Sequence, residues 1–523
     1  MKPLSGLDSM FLHLETPETP MHVASGHLYQ LPEGVKERDF LEIVRKHLAK
    51  RIPLIPLMRR KLAHVPLDVT NPVWVDDDAV DLTYHVRRVK LPRPATIAQL
   101  ENTLARLHAK PMDRNRPLWE FYLIEGLPDR KVGFYSKIHH AALDGAAGVI
   151  LLSNMLDTTP VPRKIPARPR MTKGLEHPGF RELVGAAFGH ESAQFVKLVR
   201  HLPDVAKILA DAIRPGKGLG VGEMVKRNLT FGPKTPFNIA ITGERGFAAV
   251  SIPLSETKAI GQAEEAKLND VVLAICAGAL RRYLAHRGGI PTKPLIAAVP
   301  VSLREPGNTE YTTQATMTLV NLATNIADPV KRLRAIRENA AAAKALTAKT
   351  KSVVPTDFPS LGVPWIVSRL AGLYGRSHLA DRIPPIANLV ISNVHGSEVP
   401  MYMAGARMLT YWPISIVEHG LGLNITLESY AGSLDFGLLA AKNAVPNVRE
   451  IADAIEESFA ELKEATLGRA AQDARPKRAA STAKRAARRT STKAPAKKRR
   501  VAGVTAAPSR RRPAGARRGR STQ

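Results

Sequence analysis

A proline-, glycine- and lysine/arginine-rich segment, residues 160–236, separates two stretches in which strand and helix patterns alternate. Before it, apolar residues recur at helical spacing over 39–48 and 97–107, and polar and apolar residues alternate over 131–138. After it, a helix pattern with a glycine stop covers 269–289 and further strand patterns follow. Repeated strand–helix units of this kind predict an α/β architecture in two halves of comparable size.

These patterns divide the chain of 523 residues into four parts. We predict an N-terminal domain (1–160), a linker (161–245), a C-terminal domain (246–468) and a tail (469–523). Within the linker, residues 192–213 carry an apolar stripe beside basic residues and predict an amphipathic helix. Such a helix either lies on a membrane or lipid-droplet surface or packs against a domain.

Most of the excess positive charge lies in the tail. The net charge is +29, and residues 471–523 contain 18 Lys and Arg against one acidic residue, which accounts for +17. The tail contains no Phe, Trp or Tyr, so we predict that it is disordered. Clustered Lys and Arg favour salt-dependent attachment to anionic lipid head groups or nucleic-acid phosphates. Without aromatic side chains for base stacking, sequence-selective nucleic-acid recognition is not expected.

The chain carries no sign of secretion or of a membrane span. Its first 20 residues lack a basic region followed by an apolar run, and nowhere are about 18 apolar residues uninterrupted. Its one cysteine, Cys276, excludes an internal disulfide and fits a reducing compartment. We therefore expect a cytoplasmic protein that associates peripherally with the inner membrane or with lipid droplets.

The stretch HHAALDG, residues 139–145, is the strongest candidate for a reacting group. It follows a predicted strand and precedes a predicted helix, and loops at strand ends expose side chains on a rigid support. Because neighbouring residues of an extended chain point in opposite directions, only one of His139 and His140 can face a given cavity. An imidazole can take a proton from an alcohol near neutral pH. One histidine of the pair is then a structural hydrogen-bonding residue, and we favour His139 for that function.

Asp144 and Gly145 complete this motif. Asp144 either holds the loop by pairing with an arginine, for which Arg304 is a candidate, or caps the helix that follows. Gly145 lets the backbone approach closely. We expect no metal site, because no His-Glu-x-x-His motif or cysteine cluster occurs. The absence of Gly-x-Ser-x-Gly argues against a serine hydrolase of the α/β type.

The motif HHAALDG resembles the His-His-x-x-x-Asp-Gly signature of the acyltransferases that include chloramphenicol acetyltransferase and peptide-synthetase condensation domains. Further stretches, in the family's order from about residue 4 to 465, resemble bacterial wax ester synthases/diacylglycerol acyltransferases. They are LSGLDSMFLHLETPETPMHV, RPLWEFYLIEGL, NDVVLAICAGALRRYL, VPVSLR, LVISNVHGS and YAGSLDFGLLA. The combination is far more specific than any one of these motifs.

This resemblance implies two chloramphenicol-acetyltransferase-like domains with the active site in a tunnel between them. It implies an acyl-CoA-dependent O-acyltransferase that esterifies diacylglycerol to triacylglycerol, with long-chain alcohols as alternative acceptors giving wax esters. Acyl-CoA is a co-substrate and no further cofactor is implied. By position in the motif, His140 is the general base, and Asp144 and Gly145 shape its loop. Direct attack by the acceptor needs no acyl-enzyme.

The family motifs also mark two groups of candidate substrate-binding residues, which are Pro117, Leu118 and Trp119, and Asn269 and Asp270. Judged without the family resemblance, Trp119 and Asp270 are better explained by structural functions than by substrate binding. A tryptophan such as Trp119 is more often part of a core or a tunnel wall, and Asp270 stands where a helix N-cap belongs.

A second function remains open from the residues alone. The protein could be a non-catalytic lipid- or polyanion-binding protein, tethered by its basic tail.

Overall fold

A computed structural model describes residues 2–4, 6–63, 71–77, 79–143, 145–165, 231–302, 315–350 and 377–468. The described residues up to Gly468 form one compact unit. The predicted helix over 192–213 and the predicted disordered tail lie outside the described residues.

The first large sheet is built mainly from the N-terminal half. Its strands are β2 (His22–Gln30), β5 (Val86–Lys90), β6 (Trp119–Glu125), β7 (Lys131–His139), β12 (Tyr402–Met403), β13 (Ala406–Met408) and β14 (Trp412–Ile414). Across the sheet they follow the order β12-β13-β2-β7-β6-β5, and β14 also pairs with β2. A small sheet beside it contains β1 (Lys2–Pro3), β4 (Val73–Asp76) and β3 (Arg60–Ala63) in that order.

The second large sheet belongs to the C-terminal half. Its strands are β8 (Arg245–Pro253), β9 (Ile296–Ser302), β10 (Ala315–Asn321), β11 (Leu389–Val394), β15 (Leu423–Tyr430) and β16 (Ser433–Ala441). Across the sheet they follow the order β10-β9-β11-β15-β16-β8. The strand β11 runs parallel to β9 and β15, and the remaining pairs are antiparallel. Together with the helices, the two sheets confirm the predicted α/β architecture.

Helices cover these sheets. They are α1 (Gly6–Leu14), α2 (Glu37–Arg51), α3 (Leu82–His85), α4 (Ile97–His108), α5 (Gly145–Met155), α6 (Leu254–Ala263), α7 (Leu268–Ala285), α8 (Pro329–Thr350) and α9 (Arg449–Lys463). Local chemistry sets some of their ends. Thr96 accepts the Gln99 N–H, and Gln99 in turn accepts the Thr96 N–H, so a capping box begins α4. No helix that the structure describes is both long and apolar enough to cross a membrane.

The helix and strand predictions of the first half are confirmed. The helical periodicity of 39–48 and 97–107 falls within α2 and α4, and the alternating stretch 131–138 falls within β7. In α4 the predicted apolar stripe is buried, because Leu100, Leu104 and Leu107 all belong to the main core. That core continues into the second half, where α7 and α9 pack on the C-terminal sheet.

Strands of the C-terminal half join the N-terminal sheet. In the antiparallel pairing of β13 with β2, Arg407 lies opposite Gln30, and in that of β14 with β2, Trp412 lies opposite Gly26. Each of these hydrogen-bonded strands lies more than 370 residues from its partner along the chain. The N-terminal sheet is therefore completed by residues of the C-terminal half.

Candidate active site

Backbone hydrogen bonds hold the histidine pair at the end of β7. The His139 N–H donates to the Leu118 carbonyl at 3.0 Å, and the His140 N–H donates to the Met21 carbonyl at 2.9 Å. The chain then turns, because the Ala142 N–H donates back to the His139 carbonyl at 2.9 Å. The loop is thus bonded on one side to the residue before β2 and on the other to the residue before β6.

The His139 ring is buried and hydrogen-bonded, with 1% of the residue exposed. Its Nδ1 accepts the Ala141 N–H at 3.1 Å. Its Nε2 lies 3.4 Å from Oε1 of Glu15. These contacts suit the structural function expected of His139.

The His140 ring lies in a different environment and is partly exposed. It stacks on Phe11 of α1, with ring centroids 3.8 Å apart and planes inclined by 17°. Its Nδ1 is buried and has no hydrogen-bond partner among the described residues. Burial lowers the pKa of His140 to about 4, although the carbonyl of the same residue acts in the opposite direction. The ring is therefore unprotonated at neutral pH.

Glu15, at the end of α1, is a residue of this site that sequence reasoning missed. Its carboxylate accepts the Met21 N–H at 3.0 Å and a hydrogen bond from Arg114 at 2.7 Å, besides facing His139. Burial acts to raise its pKa, but hydrogen bonds and charges from His139 and Arg114 outweigh burial and lower the pKa to about 2. The only sequence signal was the family-like stretch LETPETPMH, which contains Glu15 but does not single it out.

The side of β7 that carries His139 also buries charge. Lys137 Nζ lies 3.0 Å from the Glu120 carboxylate and donates to the Lys110 carbonyl at 3.0 Å. Burial lowers the pKa of Lys137, opposed by Glu120. On the paired strand, burial and then the neighbouring His108 and Lys137 lower the pKa of His22 well below its ordinary value. This side of the strand thus buries several ionisable side chains.

The segment Pro117–Trp119 is buried next to the histidine loop. Leu118 contributes the carbonyl that binds His139, and its side chain belongs to a small core with Leu12 and Ala141. Trp119 is fully buried, and its indole N–H donates to the Met58 carbonyl at 3.0 Å. Leu118 therefore supports the loop directly, whereas Trp119 is a core residue.

Asp270 is not the N-cap of α7, which corrects the cap prediction. The helix begins at Leu268, so Asp270 is its third residue, and its carboxylate accepts the Lys267 N–H at 3.0 Å. Asp270 therefore still provides a hydrogen-bond acceptor for a backbone N–H at the start of the helix, but it does so from within the first turn. Asn269 accepts a long hydrogen bond, 3.5 Å, from the amide of Asn393 on β11. Among the described contacts, none joins Asn269 or Asp270 to the histidine pair.

The rest of the motif is only partly described. Gly145 is the first residue of α5, while Asp144 and Arg304 lie outside the described residues, so their predicted pairing stays a prediction.

Within the described ranges, no three His, Cys, Asp or Glu side chains lie close enough to hold a metal ion. A cavity of about 820 Å³ opens beside α2, lined in part by Arg51 and Lys164, and does not include His140.

Comparison with known families agrees with this geometry. The wax ester synthase/diacylglycerol acyltransferase catalytic domain matches residues 4–272, and the C-terminal domain of the same family matches residues 312–463. A Mycobacterium tuberculosis protein named as a diacylglycerol O-acyltransferase is 36% identical over 465 residues, covering 88% of this chain and 99% of its own. The O-acyltransferase WSD of Acinetobacter baylyi is 32% identical over 460 residues, covering 88% and 96%.

Solved structures show the same relationship. The wax ester synthase/diacylglycerol acyltransferase of Marinobacter aquaeolei VT8 superimposes with a TM-score of 0.63 at 30% identity, covering 88% of this chain and 99% of its own. The first condensation domain of the calcium-dependent antibiotic synthetase shares the fold at 14% identity and a TM-score of 0.50. With matched domains over most of its length and relatives above 30% identity, this chain belongs to the wax ester synthase/diacylglycerol acyltransferase family of acyltransferases.

Proposed function

We propose that the protein transfers the acyl group of acyl-CoA to the hydroxyl of diacylglycerol, giving triacylglycerol, and that long-chain alcohols are its second class of acceptor. The placement of His140 carries this proposal. The ring stands at a strand end, is partly exposed, and stays unprotonated at neutral pH because burial lowers its pKa. It is therefore a proton acceptor that an alcohol can reach.

The contacts of His140 favour Nε2 as the reacting atom. Nδ1 is buried while the residue is partly exposed, which favours Nε2 as the nitrogen that a substrate reaches. A proton on Nδ1 leaves the lone pair of Nε2 free, and the stacking on Phe11 restricts rotation of the ring.

With this base in place, the reaction needs no protein nucleophile. Nε2 takes the hydroxyl proton as the acceptor oxygen attacks the thioester carbonyl, which forms a tetrahedral intermediate. The carbon–sulfur bond breaks, and the departing thiolate of coenzyme A takes the proton from Nε2. The oxygen–carbon ester bond has formed, His140 is restored, and no acyl-enzyme occurs. We propose that the two substrates approach the ring from opposite sides, through a tunnel between the sheet-bearing halves.

The basic tail supports a second part of the proposal. The excess of Lys and Arg over 471–523 suits attachment to an anionic membrane or droplet surface, where the lipid acceptor is dissolved. Removing residues 471–523 should leave turnover of soluble short-chain substrates unchanged and reduce retention on anionic vesicles at low salt. Loss of turnover would contradict a tether.

The reaction is tested with pure protein, radiolabelled palmitoyl-CoA and one acceptor at a time. Diacylglycerol, hexadecanol and no acceptor form the three arms, and the products are separated by thin-layer chromatography. We expect labelled triacylglycerol in the first arm and less wax ester in the second. Lipid binding without labelled product in either arm would instead favour the non-catalytic lipid-binding protein.

A further inference from the structure

Arg114, Met21 and His139 surround the buried carboxylate of Glu15, which lies outside the histidine motif. Oε2 accepts Arg114 Nη2 at 2.7 Å and Nε at 3.2 Å, which is a two-point contact from one guanidinium. Oε1 accepts the Met21 N–H at 3.0 Å and lies 3.4 Å from His139 Nε2. Arg114 is fixed in turn, because it also donates to the Leu12 carbonyl at 2.8 Å.

This arrangement selects the tautomer of His139. Its Nδ1 accepts the Ala141 N–H, and a nitrogen that accepts a hydrogen bond carries no proton. The ring proton must therefore be on Nε2, where it faces Oε1 of Glu15. A carboxylate behind an imidazole fixes both its orientation and its protonated nitrogen.

The same carboxylate is coupled to His140 through the backbone. Met21 donates its N–H to Glu15 and accepts the N–H of His140 on its carbonyl at 2.9 Å. The helix that ends just before Glu15 also carries Phe11, on which the His140 ring stacks. One short segment thus holds the backbone of His140 at one point and its ring at another.

We infer that Glu15 is a positioning residue for acyl transfer, which fixes His139 and the Met21–His140 backbone contact so that the His140 ring keeps its reactive orientation. It does not touch the reacting atoms. The kinetic consequence of this inference rests on the proposed function, whereas its structural consequence, the contact between Glu15 and the His139 ring, does not.

The sharpest variant is Glu15→Gln, which keeps the shape of the side chain and removes its charge. A single amide oxygen cannot serve Arg114, Met21 and His139 together, and the amide N–H₂ opposes the donor on His139. We expect kcat to fall roughly 10- to 100-fold, because small misplacements of a reacting group cost rate steeply. KM for acyl-CoA should change by less than about threefold, because substrate contacts are untouched.

Two comparisons separate positioning from loss of fold. Asp157→Asn removes a buried carboxylate that is paired with Arg51 at 2.7 Å, beyond the far end of α5, and should keep kcat in the folded protein. In the double variant Glu15→Gln/His139→Gln, the two losses in kcat should be less than multiplicative, because both substitutions remove the contact between Glu15 and His139. Multiplied losses in the double variant, or an equal kcat loss in Asp157→Asn, would overturn the inference.

The contact between Glu15 and His139 is measured without turnover, by ¹⁵N–¹H correlation of histidine rings in the full chain labelled at histidine. We expect His139 to carry its proton on Nε2 in both proteins, because the Ala141 N–H bond to Nδ1 remains. In Glu15→Gln the Nε2–H signal should move upfield, because the proton no longer faces a carboxylate; the signal is assigned by its loss in His139→Gln. An unchanged His139 signal in Glu15→Gln contradicts the inference. Absence of acyl transfer by the wild type, with the expected change of the His139 signal, would overturn only the proposed function.

Discussion

The rings of Phe11 and His140 stack face to face, with centroids 3.8 Å apart. A side chain of the helix α1 therefore covers one face of the candidate base. The contact joins a residue near the chain's start to one that lies 129 positions later. It leaves one ring face against an aromatic side chain and restricts the rotation that would carry Nε2 away from a substrate.

Replacing Phe11 with leucine should therefore slow the reaction without abolishing it. An aromatic pair contributes about 0.5–1.5 kcal/mol beyond its buried area, so we expect kcat to fall about 2- to 12-fold. Phe11→Tyr retains the ring and is the matched control, with kcat within about twofold of the wild type. Equal rates for Phe11→Leu and the wild type would show that the stacking does not orient the base.

The pH dependence of the reaction should follow the lowered pKa of His140. Burial places that pKa at about 4, and the ring accepts a proton only while it is unprotonated. We expect the His140-dependent part of kcat/KM to be level from pH 8 to about pH 5 and to fall as the pH drops further toward 4. The check is kcat/KM measured by rapid pH jump, with circular dichroism to confirm folding. An inflection near 6.5 would mean that the ring is as solvated as a free histidine.

Burial of Glu428 should make the free energy of unfolding depend on pH. Glu428 pairs across β15 and β16 with Asp435, and burial, followed by the charge of Asp435, raises the pKa of Glu428 to about 8. Its ordinary pKa is 4.5, so between pH 4.5 and 8 the folded state holds a proton that the unfolded state releases. Its contribution to stability is full below pH 4.5 and is lost as the pH rises through 8.

The measurement compares urea unfolding of the wild type and Glu428→Gln at pH 5 and pH 8. We expect the wild type to lose roughly 3–4 kcal/mol more than the variant over this range. The exposed Glu457, with 61% of its side chain accessible, is the control, and Glu457→Gln should follow the wild type. A constant difference between wild type and Glu428→Gln would indicate that Glu428 is ionised in the folded protein.

The buried ion pair of Arg51 and Asp157 should be important for folding rather than for turnover. Arg51 donates to both oxygens of Asp157 at 2.9 and 2.7 Å, and the backbone of Asp157 exchanges two hydrogen bonds with Tyr402 of β12. Removing one partner of a buried pair costs about 3–5 kcal/mol, so Asp157→Asn should be destabilised by that order.

The control is the surface pair of Arg287 and Glu450, whose side chains are 37% and 41% exposed. Glu450→Gln should cost less than about 1 kcal/mol. Chemical denaturation of both variants gives the comparison, and equal losses would contradict the importance of burial.

Sequence patterns predicted many helices and strands of this fold, because helix and strand periodicity depends on residues that are close together in the chain. The apolar spacing of Leu100, Leu104 and Leu107 depends only on the helical repeat, and the opposite environments of His139 and His140 follow from strand alternation. The pairing of Arg407 with Gln30 could not be predicted this way, because register between distant strands is decided by tertiary packing. The same holds for Glu15, whose three partners lie 6, 99 and 124 residues away and form no short motif.

The central claim is that the imidazole of His140 removes the proton of the acceptor hydroxyl. The direct measurement is kcat of pure His140→Ala with palmitoyl-CoA and diacylglycerol, beside wild type of equal folded content. The account predicts a loss of roughly 10²- to 10⁴-fold, the usual contribution of a positioned general base. Turnover by His140→Ala at the wild-type rate would contradict it.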